Sequence, residues 1–110
     1  MRVLIFVLSV VMTMSSAQAA DKTADIAAGK QKALLVCSDC HGTNGVSVVE
    51  NFPNLAGQKE MYLAKQLKAF RDGTRKNVEM KFIVKLLKDE DIVNLAAYFS
   101  KLPCCKPEHR

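Results

Sequence analysis

The segment Cys37-Ser38-Asp39-Cys40-His41 constrains this chain more than any other stretch. Two thiols three residues apart, followed at once by a histidine, form the Cys-x-x-Cys-His arrangement of c-type haem attachment. Thiols at that spacing can add across the two vinyl groups on one haem edge, which turns the next residue toward the iron. His41 is then the proximal ligand.

Two other chemistries use paired cysteines. A thiol oxidoreductase places Cys-x-x-Cys at a helix start after a strand, but here a helical pattern precedes Cys37 and the strand and helix alternation of that fold is missing. A structural zinc site needs four closed ligands, and the remaining candidates are Cys104, Cys105 and His109 in the tail.

The compartment is read from the first residues. Arg2 is followed by an apolar run over residues 3–12 and then by small residues ending in Ala17-Gln18-Ala19, the pattern of a secretory signal peptide cleaved after Ala19. About ten strongly apolar residues fall short of the roughly 20 needed to span a bilayer. The expected organisation is a signal peptide over 1–19, one domain over 20–103 and a short tail over 104–110. The mature protein is expected to be periplasmic, soluble and without a membrane span.

Helical periodicity dominates the domain. Asp25 can cap a helix whose apolar positions Ile26, Ala33, Leu34 and Cys37 recur at helical spacing. Residues 42–57, rich in Gly, Asn, Ser and Pro, read as a long irregular loop. Residues 59–71 form an amphipathic helix with Tyr62, Leu63, Gln66, Leu67 and Phe70 on one side, and Gly73 ends it. A short helical turn is predicted over 82–87. Asp89-Glu90-Asp91 then opens a last helix, where acids favour the positive end of the dipole, and Pro103 stops it. The fold class is all-α, with three or four helices wrapped around one covalent haem.

Met61 and Met80 are the thioether candidates for the sixth iron ligand once the leader is removed. Met61 lies within a predicted helix and reads as core filler. Met80 lies in a segment read as non-helical, far enough from His41 to return over the opposite haem face, and His109 in the charged tail is the weaker choice. His/Met ligation leaves no open iron position and raises the potential, which suits electron transfer. No enzymatic activity is expected.

These motifs resemble the small class I cytochromes c, above all the c-553 type and the single haem domains of two-haem bacterial cytochromes. The likeness runs over residues 26–102. It rests on Cys37 to Gly42, on Asn51-Phe52-Pro53-Asn54-Leu55-Ala56-Gly57-Gln58, on Tyr62-Leu63 with Gln66-Leu67, and on Asp89-Glu90-Asp91-Ile92 with Leu95-Ala96-Ala97-Tyr98-Phe99. The resemblance implies that the Pro53 carbonyl accepts the second imidazole proton of His41 and that Met80 is the distal ligand. It also implies that Arg75 lies near the haem propionates and that Gly29 allows the first and last helices to cross at Ala97 or Tyr98. Lys88 stands where such proteins often carry a capping Ser, so the cap is expected at Asp89. Cys104 and Cys105 have no counterpart in the pattern; a disulfide-linked dimer through them is an alternative to the expected monomer.

Lys and Arg outnumber Asp and Glu by 16 to 11. Lys59, Lys65, Lys68, Arg71, Arg75, Lys76, Lys81, Lys85 and Lys88 gather between the second helix and the last, a field that would steer redox donors and acceptors with an acidic docking face. A solvated helix face explains the same lysines equally well, and nucleic acid is not an expected partner. The function expected is a one-electron carrier. A haem sensor or peroxidase-like protein is the alternative if Met80 is not an iron ligand, and a thiol oxidoreductase if no haem is bound.

Overall fold

The protein was analysed as a computed structural model, which describes residues 23–104. Five helices follow in chain order: α1 over Ile26–Val36, α2 over Ser38–His41, α3 over Glu60–Asp72, α4 over Val78–Val84 and α5 over Asp89–Lys101. No strand occurs among the described residues. The signal peptide read at residues 1–19 and the tail residues Cys105 and His109 lie outside them.

Local chemistry sets the helix ends. Asp25 accepts the Ala28 N–H at 3.0 Å and so caps α1. Gly73 ends α3 in the left-handed conformation at φ +81°, which a residue without Cβ adopts at little cost. At the start of α5 the cap residue is Lys88, not Asp89 as expected. Its backbone N–H donates to Asp91 Oδ2 at 2.8 Å, so a carboxylate three residues on does the work that a capping Ser would share.

The segment before α5 also differs from expectation. The short turn predicted over 82–87 is instead α4, beginning at Val78, because Asn77 Oδ1 accepts the Met80 N–H at 2.8 Å and caps a helix there. Met80 is therefore helical.

α5 is the centre of the fold. Ile92, Leu95, Ala96, Ala97, Tyr98 and Phe99 are all buried, and with Leu63 of α3, Val84 of α4, Ala33 of α1 and Leu87 they make one core. Val84, Ile92 and Leu95 are fully buried, each worth roughly 1.5–3 kcal/mol of removed apolar surface. α1 crosses α5 at Gly29, where a Cβ would lie 2.2 Å from the Asn94 carbonyl oxygen and 3.0 Å from Tyr98 Cβ. The crossing is thus at Asn94 and at Tyr98, the second of the two positions expected. Buried Asn94 also accepts the Asp25 N–H through Oδ1 at 2.8 Å, which fixes the register of the two helices.

Arg71 of α3 donates to Asp89 Oδ1 at 2.6 Å across to the start of α5. That hydrogen bond, with the Arg71 charge, holds the Asp89 carboxyl below its ordinary pKa of 3.8.

Two outcomes are expected. Gly29→Ala forces backbone against backbone at the α1–α5 crossing and should cost about 3 kcal/mol in denaturant unfolding. The stability that Asp89 adds is present above its ordinary pKa and lost as pH falls below it. The stability difference between the wild type and Arg71→Gln should therefore shrink as unfolding is measured at successively lower pH beneath 3.8.

Candidate haem site

The short helix α2 follows α1 after a single residue, Cys37, whose carbonyl accepts the Cys40 N–H at 3.3 Å and the His41 N–H at 2.9 Å. Positions three and four residues apart lie on one face of a helical turn. Cys37, Cys40 and His41 are therefore presented to the same side. Ser38 Oγ ties this turn back to the Leu34 carbonyl at 2.8 Å.

His41 is buried, and its Nδ1 lies 2.8 Å from the Pro53 carbonyl oxygen. A carbonyl can only accept, so the proton sits on Nδ1. In that neutral tautomer the lone pair remains on Nε2, the nitrogen free to bind a metal. Phe52 stands against the imidazole with ring centres 6.4 Å apart.

The loop between α2 and α3 exists to hold Pro53 there. Gly45 O accepts both the Leu55 N–H at 2.8 Å and the Ala56 N–H at 3.0 Å, and Asn54 Oδ1 accepts the Ser47 N–H at 2.7 Å. Gly57 then donates to the Phe99 carbonyl at 2.9 Å, which fastens the loop to α5. Gly42 makes the turn out of α2 at φ +84°, and a Cβ there would meet the Val46 carbonyl oxygen at 2.0 Å.

The two thiols differ in setting. Cys40 is exposed, whereas Cys37 is half-buried and packs against the core. Burial, and secondarily the neighbouring Cys40, pushes the Cys37 thiol up to about 11. A surrounding that disfavours charge on sulfur is opposite to that of a thiol-exchange nucleophile, whose pKa is lowered, and to that of a thiolate zinc ligand. It suits a neutral thioether. Among the described residues no group of three His, Cys, Asp or Glu side chains is arranged to hold a metal ion by itself.

Met80 is half-buried on α4 and packs against the same core as Cys37, Leu55 and Leu67. Met61, read as core filler, is instead 87% exposed on the outer side of α3. Arg75 is exposed just after α3. Its guanidinium donates to Gln66 Oε1 at 2.7 Å and lies 4.5 Å from the centre of the Phe70 ring. Two open surface hollows, one lined by Val48, Phe52 and Pro53 and one by Met61, Lys65 and Lys68, include neither the thiols nor His41 nor Met80. The site is consequently defined by its donor set: two thiols on one turn, an imidazole with its second proton committed, and a thioether on the same core. That set fits haem c.

Cys104 is exposed with a free thiol and lies over Gly57, where a Cβ would come within 2.6 Å of its own. Its neighbour Cys105, the other half of the dimer alternative, lies outside the described residues. Sequence reasoning passed over Asn94, and it named Asn54 and Phe52 only as members of the loop motif, with no role of their own. A polar Asn94 inside the apolar stripe of the last helix is the signal that could have found the first; the other two are set by loop geometry that periodicity does not encode.

The cytochrome c family profile matches residues 26–103. Cytochrome c4 of Pseudomonas aeruginosa is 44% identical over 92 residues, covering 84% of this chain and 45% of that protein. Cytochrome c-554(548) of Halomonas halodenitrificans is 43% identical over 79 residues, covering 69% of this chain and 94% of that one. The crystal structure of reduced recombinant cytochrome c4 from Pseudomonas stutzeri superposes with a TM-score of 0.62 at 34% identity, over 73% of this chain and 50% of that one. The chain thus spans about half the length of the cytochromes c4 it matches.

The proximal loop yields a direct expectation. Gly42→Ala, strained at positive φ and crowded by Val46, should lower holoprotein stability by about 1–3 kcal/mol, read from the thermal or denaturant midpoint of the haem absorbance.

Proposed function

This chain belongs to the cytochrome c family, and on that premise we propose that it is a periplasmic one-electron carrier with a His/Met-ligated haem. It carries one haem c, joined through Cys37 and Cys40. The haem supplies a one-electron iron couple. What remains for the protein is to fix ligands, exclude water and present an edge to its partners.

The observation that carries this reading is the buried His41 whose Nδ1 proton is held by the Pro53 carbonyl at 2.8 Å. That hydrogen bond fixes the ring plane and keeps Nε2 basic, the arrangement of a permanent axial ligand. In this reading Met80 supplies the opposite ligand from α4. Two strong protein ligands leave no iron position for a substrate, which favours electron transfer over oxygen or peroxide chemistry. Arg75, held by Gln66 and the Phe70 ring, is the residue that would lie near the propionates and offset their charge. A role in electron transfer alone, with no enzymatic step, follows from that filled coordination.

No helix among the described residues is long and apolar enough to cross a membrane. The assignment to the periplasm rests on the secretory pattern of residues 1–19. The lysines of α3, α4 and their connections supply the field that draws acidic donors and acceptors.

The test is spectroscopic. Purified from a host that matures c-type cytochromes, the protein should carry the mass of one covalent haem and a low-spin, methionine-ligated spectrum. In Met80→Ala that spectrum should be lost. The reduction potential should fall by on the order of 100 mV, well inside the roughly 0.8 V that axial ligands span. An unchanged spectrum and potential in Met80→Ala would overturn the ligand assignment, and a colourless protein would overturn the carrier.

A further inference from the structure

Two peptide groups decide how the His41 imidazole stands. One joins Cys40 to His41 and carries the Cys40 carbonyl. The other joins Pro53 to Asn54, and its oxygen lies 2.8 Å from Nδ1. Asn54 thus supplies the nitrogen of the same planar group that accepts the ring proton, and whatever holds Asn54 also aims that acceptor.

The Asn54 side chain reaches seven residues back, where Oδ1 accepts the Ser47 N–H at 2.7 Å. Ser47 continues the path. Its hydroxyl accepts the Val49 N–H at 3.0 Å, and its one proton is shared between the Val49 carbonyl at 3.0 Å and the Cys40 carbonyl at 3.2 Å. These contacts close a ring: from the imidazole to Pro53, through Asn54 to Ser47, and from Ser47 to the peptide that enters His41. Fold stability needs this ring little. Asn54 is exposed and Ser47 half-buried, so water can replace their hydrogen bonds at small net cost. The loop also has its own fastening, through the Gly45 carbonyl and through Gly57 to Phe99. What the Asn54–Ser47 pair adds is a fixed distance between the turn that presents the histidine and the carbonyl that holds its proton.

We propose that Asn54 and Ser47 are positioning residues that act through the Pro53 carbonyl on His41 and so help to set the reduction potential of the bound iron. The proposal rests on the carrier reading above. A well-aligned acceptor on Nδ1–H leaves more electron density on Nε2, and a more basic ligand favours ferric over ferrous iron. Opening the ring therefore shifts the couple toward the reduced state. The 3.2 Å contact to Cys40 is long for a hydroxyl donor, so the Asn54 link carries more of the effect than the Ser47 hydroxyl.

The test uses holoprotein, each variant first checked for one covalent haem and a low-spin spectrum. In a redox buffer poised at the wild-type midpoint, Asn54→Ala should raise the ratio of reduced to oxidised protein about threefold. Exchange of the His41 Nδ1 proton in the reduced protein, followed by NMR, should quicken about fivefold. Asn54→Asp keeps the accepting oxygen and should keep the wild-type exchange rate. Ser47→Ala should move both readouts the same way but less, and the double variant should go no further than Asn54→Ala, because links in series are not additive. Asn44→Ala removes a hydrogen bond of the same kind from the same loop, that from the Val46 N–H at 3.1 Å, and should leave both readouts as in the wild type. Unmoved ratio and exchange in Asn54→Ala, an equal shift in Asn44→Ala, or additive effects at 54 and 47 would overturn the proposal. Should Asn54→Ala fail to retain haem, Ser47→Ala decides, an unmoved ratio there overturning it. A wild type without a low-spin haem would count against the carrier reading; a normal wild type with indifferent variants would count against the positioning role alone.

Discussion

The hydrogen bond from His41 to the Pro53 carbonyl depends on most of the molecule behind it. Pro53 is placed by a loop folded around the Gly45 carbonyl, which receives two backbone N–H groups from residues 55 and 56. The loop is fastened to α5 through Gly57 and Phe99, and α5 is held against α1 by the close approach at Gly29. The orientation of one imidazole thus traces back through backbone hydrogen bonds to a helix crossing that has no room for a methyl group. Every link uses backbone atoms, and the side chains that matter most are those that are missing, at Gly29, Gly42 and Gly45. A ligand set this way is rigid, which suits a centre that gains and loses an electron without rearranging.

Much of this was readable in the residues alone, where the signal is local. Asp25 before an apolar period and Gly73 after one mark helix ends because caps satisfy orphan backbone groups within three or four residues. The all-helical class followed from periodicity, and the resemblance carried by Cys37 to Gly42 and Asn51 to Gln58 pointed to the fold that the comparisons show. What periodicity missed was decided over longer range or by one side chain. The start of α4 follows a polar stretch over 74–77 and so reads as a turn beginning only at residue 82, yet the Asn77 carboxamide starts the helix at Val78 and the apolar residues Val84 and Leu87 anchor it. Met61 looked like core filler because methionine inside a helix usually is. Its place on the outer side of α3 depends on how that helix rolls against α5. At Lys88 the expected cap was wrong because Asp91 reaches back to the lysine N–H.

The sulfur chemistry separates readings that the Cys-x-x-Cys spacing leaves together. Exchange chemistry and zinc both need a thiolate, and both are served by positive surroundings that lower the thiol pKa. Cys37 lies at the edge of the core, where burial disfavours charge on its sulfur. A thioether carries no charge and loses nothing by being there. The same burial that would make Cys37 a poor nucleophile makes it a suitable end of a covalent link, and its carbonyl, by accepting the His41 N–H, sets the pitch of the turn on which the histidine sits.

In the proposed reading α4 carries the distal ligand Met80, and its packing is one-sided. A ligand helix must be anchored from within, and Val84 and Leu87 supply that by full or nearly full burial. Anchoring from one side leaves the other side free, and on a helix of two turns that side is no more than a helix diameter from the ligand. Placing an apolar row there, Val78, Phe82 and Leu86, costs solubility unless charge surrounds it, and Lys81 and Lys85 provide that charge. On so short a helix the anchoring row and the exposed row are separated by about half a turn of rotation, so neither constrains which residues the other uses.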